Sequence, residues 1–224
     1  MQHEHIPGVP EHDGEPVPGL PARLPPGEGI LWQGAPAWWP FARRAMHLRG
    51  LALYFLLLIA WQVTEAALGG GGLAEVLAAP ALSLPLALGC LGILALIGRA
   101  SAKATLYTIT NRRLVLRVGV ALPMTVNLPF AAVQSAAVRR HADGTEDIVL
   151  DLLPGHRVSA LALWPHLRPW RMGRPAPMLR ALPVASGASQ VLARALAASA
   201  ARAVEPAAPA PAPAEVALPG AEVA

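Results

Sequence analysis

Cysteine occurs once in this chain, at Cys90, inside an apolar run. A single thiol closes no internal disulfide, so there is no disulfide framework and no indication of redox compartment. Lysine also occurs once, as Lys103, and the other basic residues are arginine. Charged residues are only 14 % of the chain, against 54 % hydrophobic residues. That balance argues against an ordinary soluble domain and for a membrane protein. No zinc-ligand spacing, base-reading basic helix or aromatic-basic strand motif occurs, which argues against nucleic acid as partner. The first 29 residues are polar and acidic, unlike a secretory signal peptide. The first apolar run is followed by no small-residue cleavage site and is expected to stay in the mature protein.

The formal net charge of +4 is unevenly spread. Glu4, Glu11, Asp13, Glu15 and Glu28 face a single base, Arg23, within residues 1–29, whereas most arginines lie between residues 43 and 202. A basic body around an apolar middle suits anionic membrane lipid or an acidic partner. Residues 1–29, without periodicity, and the Pro-Ala tail 205–224 are expected to be disordered.

Two apolar runs follow a lead-in segment, 30–49, expected at the membrane interface. The first, LALYFLLLIAWQVTEAAL (51–68), would span about 27 Å as a helix, close to the thickness of a bilayer's hydrocarbon core. The second, VLAAPALSLPLALGCLGILALIG (76–98), is long enough to span with tilt, and a membrane tolerates its Pro80 and Pro85. The GGGGLAE link (69–75) forces an antiparallel hairpin, placed at 50–98. Arg43, Arg44 and Arg49 precede it, and Arg99, Lys103, Arg112 and Arg113 follow it, while the link carries no base. The positive-inside rule then puts both termini in the cytoplasm of a multi-pass inner-membrane protein. Trp38, Trp39, Phe41 and Trp61 are expected at the interfaces.

From residue 104 the pattern changes to short strands with turn chemistry between them. Strands are expected at 104–110, 114–119, 124–128, 133–140, 147–153 and 156–163, and a helix over 186–204. The reading is an α+β membrane protein: a hairpin, then a cytoplasmic β-barrel or sandwich over 104–204 closed by a C-terminal helix.

The stretch LWPHLRPW (163–170) stands out in a chain dominated by alanine and leucine. A metal site would need further ligands at workable spacing, and none stands near His166. A catalytic His166 would need a marked nucleophile, and Ser159 is not one. Two readings stay open. In one, a tryptophan packs on the barrel and His166 is hydrogen-bonded. In the other, Trp164, His166, Arg168, Trp170 and Arg171 form a docking edge, since tryptophan and arginine dominate binding hot spots. Pro165 and Pro169 would hold the segment extended and deny it strand hydrogen bonds. His47 raises pigment ligation, but its basic, interfacial setting favours an ordinary surface histidine. Arg43, Arg44, Arg49, Arg99, Lys103, Arg112 and Arg113 are candidates for lipid headgroups, through general attraction to anionic lipid. Asp143, Glu146, Asp147 and Asp151 read as a solvated turn, lacking the glycine and terminal glutamate of a calcium loop.

YTITNRRLVLRVG (107–119), placed after a hairpin of apolar helices, resembles the strand-turn-strand of the bacterial pleckstrin-homology-like membrane family. GEGILWQGAPAWW (27–39) resembles that family's tryptophan-containing lead-in. ARRAMHLRG, GVALPMTVNLPF (119–130), DGTEDIVLDL (143–152), LWPHLRPW and PAPMLRALP (175–183) are similar to the photosynthetic complex assembly family of purple bacteria. The resemblance implies a non-enzymatic assembly factor for the reaction centre and core light-harvesting complex, with no cofactor and with subunits of those complexes as partners. The alternatives are a pleckstrin-homology-like lipid-binding or general membrane-scaffold protein without a photosynthetic client, and a pigment carrier or pigment-linked enzyme.

Overall fold

The computed structural model describes residues 19–204 apart from positions 21, 121, 157, 170–172 and 174. The tail 205–224 and most of the expected disordered N-terminal segment lie outside the described residues. The part of that segment next to the fold is tied down. Leu20 is buried, Glu28 pairs with Arg113 at 2.8 Å, and the Asn111 amide donates to the Gly27 carbonyl.

Two antiparallel sheets carry the domain. The first has the order β1(Ile30–Gly34), β2(Leu106–Thr110), β3(Arg113–Val118), β4(Met124–Pro129). The second has the order β5(Val133–Arg140), β6(Thr145–Leu152), β7(Met178–Pro183). β1 comes from the segment expected to lie at the membrane interface. It pairs with β2, Gly34 opposite Tyr107, and so closes the first sheet. Its partner is more than 70 residues away in the chain, so local pattern did not reveal it as a strand. β7 likewise gives no local signal, because a five-residue buried run in a proline-flanked segment has no alternation to read. Residues 156–163, expected to be a strand, instead hold a loop and the short α5(Ala160–Leu163).

Between the sheets lies one core, built of inward-facing residues of both. Tyr107, Ile109, Leu114 and Leu116 come from the first sheet, and Ile148, Leu150, Leu179 and Leu182 from the second. The terminal helix α6(Ala188–Val204) closes it with Ala188, Leu192 and Ala195, a stripe at helical spacing.

Ahead of the sheets come α1(Trp38–Ala45), α2(Leu48–Leu68), α3(Leu73–Ala78) and α4(Ser83–Lys103). The second apolar run is therefore not one continuous helix. It breaks over 79–82 around Pro80, which lacks an N–H to carry the helix onward. Pro85 falls in the first turn of α4, where that missing donor costs nothing. Two stretches, Leu48–Leu68 and Leu73–Lys103, are long and apolar enough to cross a membrane. They present Leu53, Leu56, Leu57, Leu86, Leu88 and Ile93 outward instead of burying them. Inside the pair, the Ser83 hydroxyl donates to Gln62 Oε1 at 2.7 Å and clasps α4 to α2.

α1 joins the hairpin to the sheets. Its Phe41, Ala42 and Ala45 form a second buried cluster with Met46, Ala102 and Ala181 of β7. Phe41 is thus a core residue, not an interfacial one. Gly98 makes the α1–α4 approach possible, since a Cβ there would stand 2.5 Å from the Ala42 Cβ. The Ala37 N–H also donates to the Ala181 carbonyl at 2.8 Å.

Candidate docking site around residues 163–169

The 163–169 segment turns on a buried histidine. His166 is 1 % exposed and sits where α1, α4, β2 and the segment itself converge. Its ring stacks on Phe41, with centroids 5.1 Å apart, and meets the Tyr107 ring edge-on. The hydrogen bonds fix its tautomer. The Thr105 hydroxyl donates to the Ser101 carbonyl at 2.7 Å, so its oxygen accepts from His166 Nε2–H at 3.1 Å. Nδ1 is then the bare nitrogen, and it accepts from the Tyr107 hydroxyl at 2.6 Å. The Tyr107 oxygen in turn accepts from the Arg180 backbone N–H at 3.3 Å.

This chain holds the imidazole neutral. Burial, and then the Arg180 charge, push the His166 pKa down to about 3. Burial is also the main cause that raises Tyr107 above the usual phenol range, so its hydroxyl stays a donor. Neither group is poised to exchange protons near neutral pH, and the cluster is a structural brace.

The backbone around His166 completes the brace. The His166 carbonyl accepts from Met178 N–H at 2.9 Å, and Arg168 N–H donates to the Ala176 carbonyl at 3.0 Å. Pro165 and Pro169 therefore do not deny the segment all ladder bonds; the two residues between them that can pair do so. Pro165 is buried, behind a cis Trp164–Pro165 peptide. On the outer side, Trp164 is 60 % exposed and Arg168 and Pro169 face solvent.

Beside this ridge runs a basic cleft of about 520 Å³ across the face of the second sheet. Arg44, Arg139, Arg168 and Arg180 line it, with His141 and Asp147. Arg180 comes from β7 and is 8 % exposed. Its Nη2 donates to the Leu167 carbonyl at 2.7 Å, while its buried Nε has no partner. Burial lowers its pKa, and the nearby Asp147 charge works against that shift. A smaller cleft of about 120 Å³ on the other side of Arg168 brings in His47 and Trp164. Tryptophan beside several guanidiniums suits an acidic partner segment with an apolar side chain to bury.

The acidic turn does more than meet solvent. Asp143 pairs with Arg43 at 2.6 Å and Arg44 at 2.9 Å, and so pins α1 to the β5–β6 turn. Its carboxyl is held below the usual range, first by the Thr145 hydroxyl and also by the two arginines, against some desolvation. Asp147 accepts from the Ala181 N–H at 2.7 Å and contacts His141 at 2.8 Å. Glu146 is fully buried and accepts from the Ser189 N–H in the first turn of α6. The solvated-turn expectation fails for Glu146 and Asp147, because both carboxylates satisfy backbone donors that sequence alone does not bring near.

The remaining candidates scatter. His166 is interior and offers no side chain to a partner, whereas Trp164 and Arg168 are at the surface. Trp170 and Arg171 lie outside the described residues. Among the lipid candidates, Arg43 and Arg44 are in ion pairs, Arg113 is paired with Glu28, and Arg99 lies over the Trp38 ring at 5.1 Å. Arg49, Lys103 and Arg112 are exposed. His47 is exposed, in left-handed conformation, at the start of α2. Sequence reasoning missed Arg180 and Arg139; an arginine inside the apolar PMLRALP run was the available signal for the first.

Comparison with known proteins agrees with this architecture. The Bacterial PH domain family matches residues 51–168, from the first apolar helix to the docking ridge. A Rhodobacter capsulatus protein, described as an uncharacterized 23.7 kDa protein in the puhA 5' region, is 37 % identical over 188 residues. That alignment covers 83 % of this chain and 87 % of the relative. No solved structure matches the chain. With two antiparallel sheets, a closing helix and this match over more than half its length, the chain belongs to the bacterial PH domain family.

Proposed function

We propose that the protein is a non-enzymatic assembly factor for the photosynthetic reaction centre and its core light-harvesting complex, the role of the assembly protein PuhB of purple bacteria. The observation that carries this reading is the relative in the puhA 5' region, 37 % identical over 83 % of this chain. α2 and the α3–α4 stretch cross the bacterial inner, intracytoplasmic membrane, both termini and the sheets on the cytoplasmic side. The outward leucines of both helices support embedding, because a soluble core helix would bury them. The Trp164–Arg168 ridge and the adjoining basic cleft receive an acidic segment of a client subunit. No cofactor takes part in this reading.

The test is capture of the tagged full-length protein from gently solubilised photosynthetic membranes, beside a Trp164→Ala/Arg168→Ala variant. Reaction-centre or antenna subunits should accompany the wild type and be depleted from the variant. Deletion of the gene should lower assembled core complex while pigment synthesis continues. Normal core-complex levels in the deletion strain would overturn the proposal. Co-purification of lipid alone, with no photosynthetic subunit, would favour the general scaffold reading.

A further inference from the structure

A third cleft, of about 400 Å³, opens between the start of α2 and the middle of α4. Its size is within the range of small-molecule sites, about 300–1,000 Å³. The walls are Leu48 and Ala52, one turn apart on α2, and Leu91 and Ala95, one turn apart on α4. The two alanines leave the hollow that longer side chains would fill. The other lining residues are Trp39, Arg43 and Arg49, at the end of the cleft nearest the sheets. Among the described residues, no acidic side chain lines it.

The two guanidiniums have donors to spare. Arg43 spends its Nη2 on Asp143, while its Nε is buried without a hydrogen-bond partner. Asp143 is shared by Arg43 and Arg44, so one carboxylate faces two positive charges. Arg49 is exposed and makes no ion pair among the described residues.

We infer that this cleft binds one anionic glycerophospholipid. Its phosphate accepts from the Arg49 guanidinium and lies beside the positive charge of Arg43, one acyl chain lies along Leu48, Ala52, Leu91 and Ala95, and the Trp39 ring covers the junction between them. The charge-to-apolar order along the cleft matches a headgroup followed by a tail, which neither a free anion nor a wholly apolar helix would use. Basic pockets at the cytoplasmic ends of membrane helices hold lipid headgroups for the same reason. The bound lipid would fill the junction between α1 and the hairpin and help set the angle at which the sheets stand on the membrane. The inference rests on the membrane embedding proposed above, and on no photosynthetic client.

The test uses the full chain, delipidated in neutral detergent micelles and titrated with phosphatidylglycerol or phosphatidylcholine under native mass spectrometry. One phosphatidylglycerol per chain should persist at activation energies that strip phosphatidylcholine. Arg49→Gln should weaken it about tenfold, as expected for one charge-assisted contact. Arg194→Gln, which removes the same charge from α6, should leave it unchanged. Ala95→Leu should fill the groove and also abolish retention, with folding checked by near-ultraviolet circular dichroism. Equal retention of both lipids, or equal loss in Arg49→Gln and Arg194→Gln, would overturn the site. So would competition by inorganic phosphate as effective as that by the lipid. Alkaline carbonate extraction of membranes separates the two layers of the argument. Release of the protein would refute the embedding, whereas retention without lipid selectivity would refute the site alone.

Discussion

Acid should loosen this protein through His166. In the folded chain its imidazole is buried and its pKa is held down at about 3, whereas a solvated histidine titrates near 6.5. Between those values the unfolded chain binds a proton that the folded chain refuses, so stability rises with pH across the window. The contribution is complete above pH 6.5 and is lost progressively as pH falls toward 3. Each pH unit inside the window is worth about 1.4 kcal/mol, so a drop from pH 7.5 to 4.5 should cost about 2.7 kcal/mol. For a chain of this size that corresponds to a fall in Tm of about 10 °C.

The perturbation that isolates this group is His166→Gln. A glutamine amide can still donate toward Thr105 and accept from Tyr107, and it does not titrate. Thermal unfolding of wild type and variant in neutral detergent, followed by tryptophan fluorescence at both pH values, gives the comparison. Contributions of carboxylates and of exposed histidines cancel between the two proteins. The wild type should lose markedly more Tm on acidification than the variant. The same loss in both proteins would refute the reasoning, because the imidazole would then not be the group excluded from protonation.

Three further outcomes follow from the packing. Gly98→Ala should destabilise the α1–α4 junction by about 1–3 kcal/mol in urea titration, while Gly92→Ala, with nothing within 4 Å of an added Cβ, should not. Glu146→Ala removes the buried acceptor of the Ser189 N–H and should cost about 1–2 kcal/mol, seen as faster amide exchange in the first turn of α6. Asp143→Asn should cost less than about 1 kcal/mol, because the pair with Arg43 and Arg44 is partly solvated. Its pKa is depressed, so that contribution is present above the ordinary carboxylate pKa of 3.8 and fades below it, which a double-mutant cycle with Arg44→Gln at pH 7 and pH 3 would read.

Periodicity and composition carried much of the fold. The two apolar runs, the strands expected at 104–110, 114–119, 124–128, 133–140 and 147–153, and the terminal helix are legible because each is defined by its own residues. Pro80 marks the break as well: a membrane tolerates proline, yet the local loss of an N–H interrupts the run. β1 and β7 were hidden, since a strand with a distant partner and no alternation announces itself only through its pairing.

The site divides in the same way. Tryptophan, arginine and proline crowded into 163–170 mark the segment and leave two roles open, a packed brace or a docking edge. Which of its side chains faces inward was decided only by tertiary structure. His166 became a brace because residues 41, 101, 105 and 107 converge on it and satisfy both ring nitrogens, while Trp164 was left outside. Arg180 and Arg139 joined the cleft through strand pairing, and the acidic turn became an anchor because α1 was laid beside it. A sequence determines what each segment can bury or donate; which acceptor it meets depends on contacts whose loop-closure cost is repaid only when the whole fold forms.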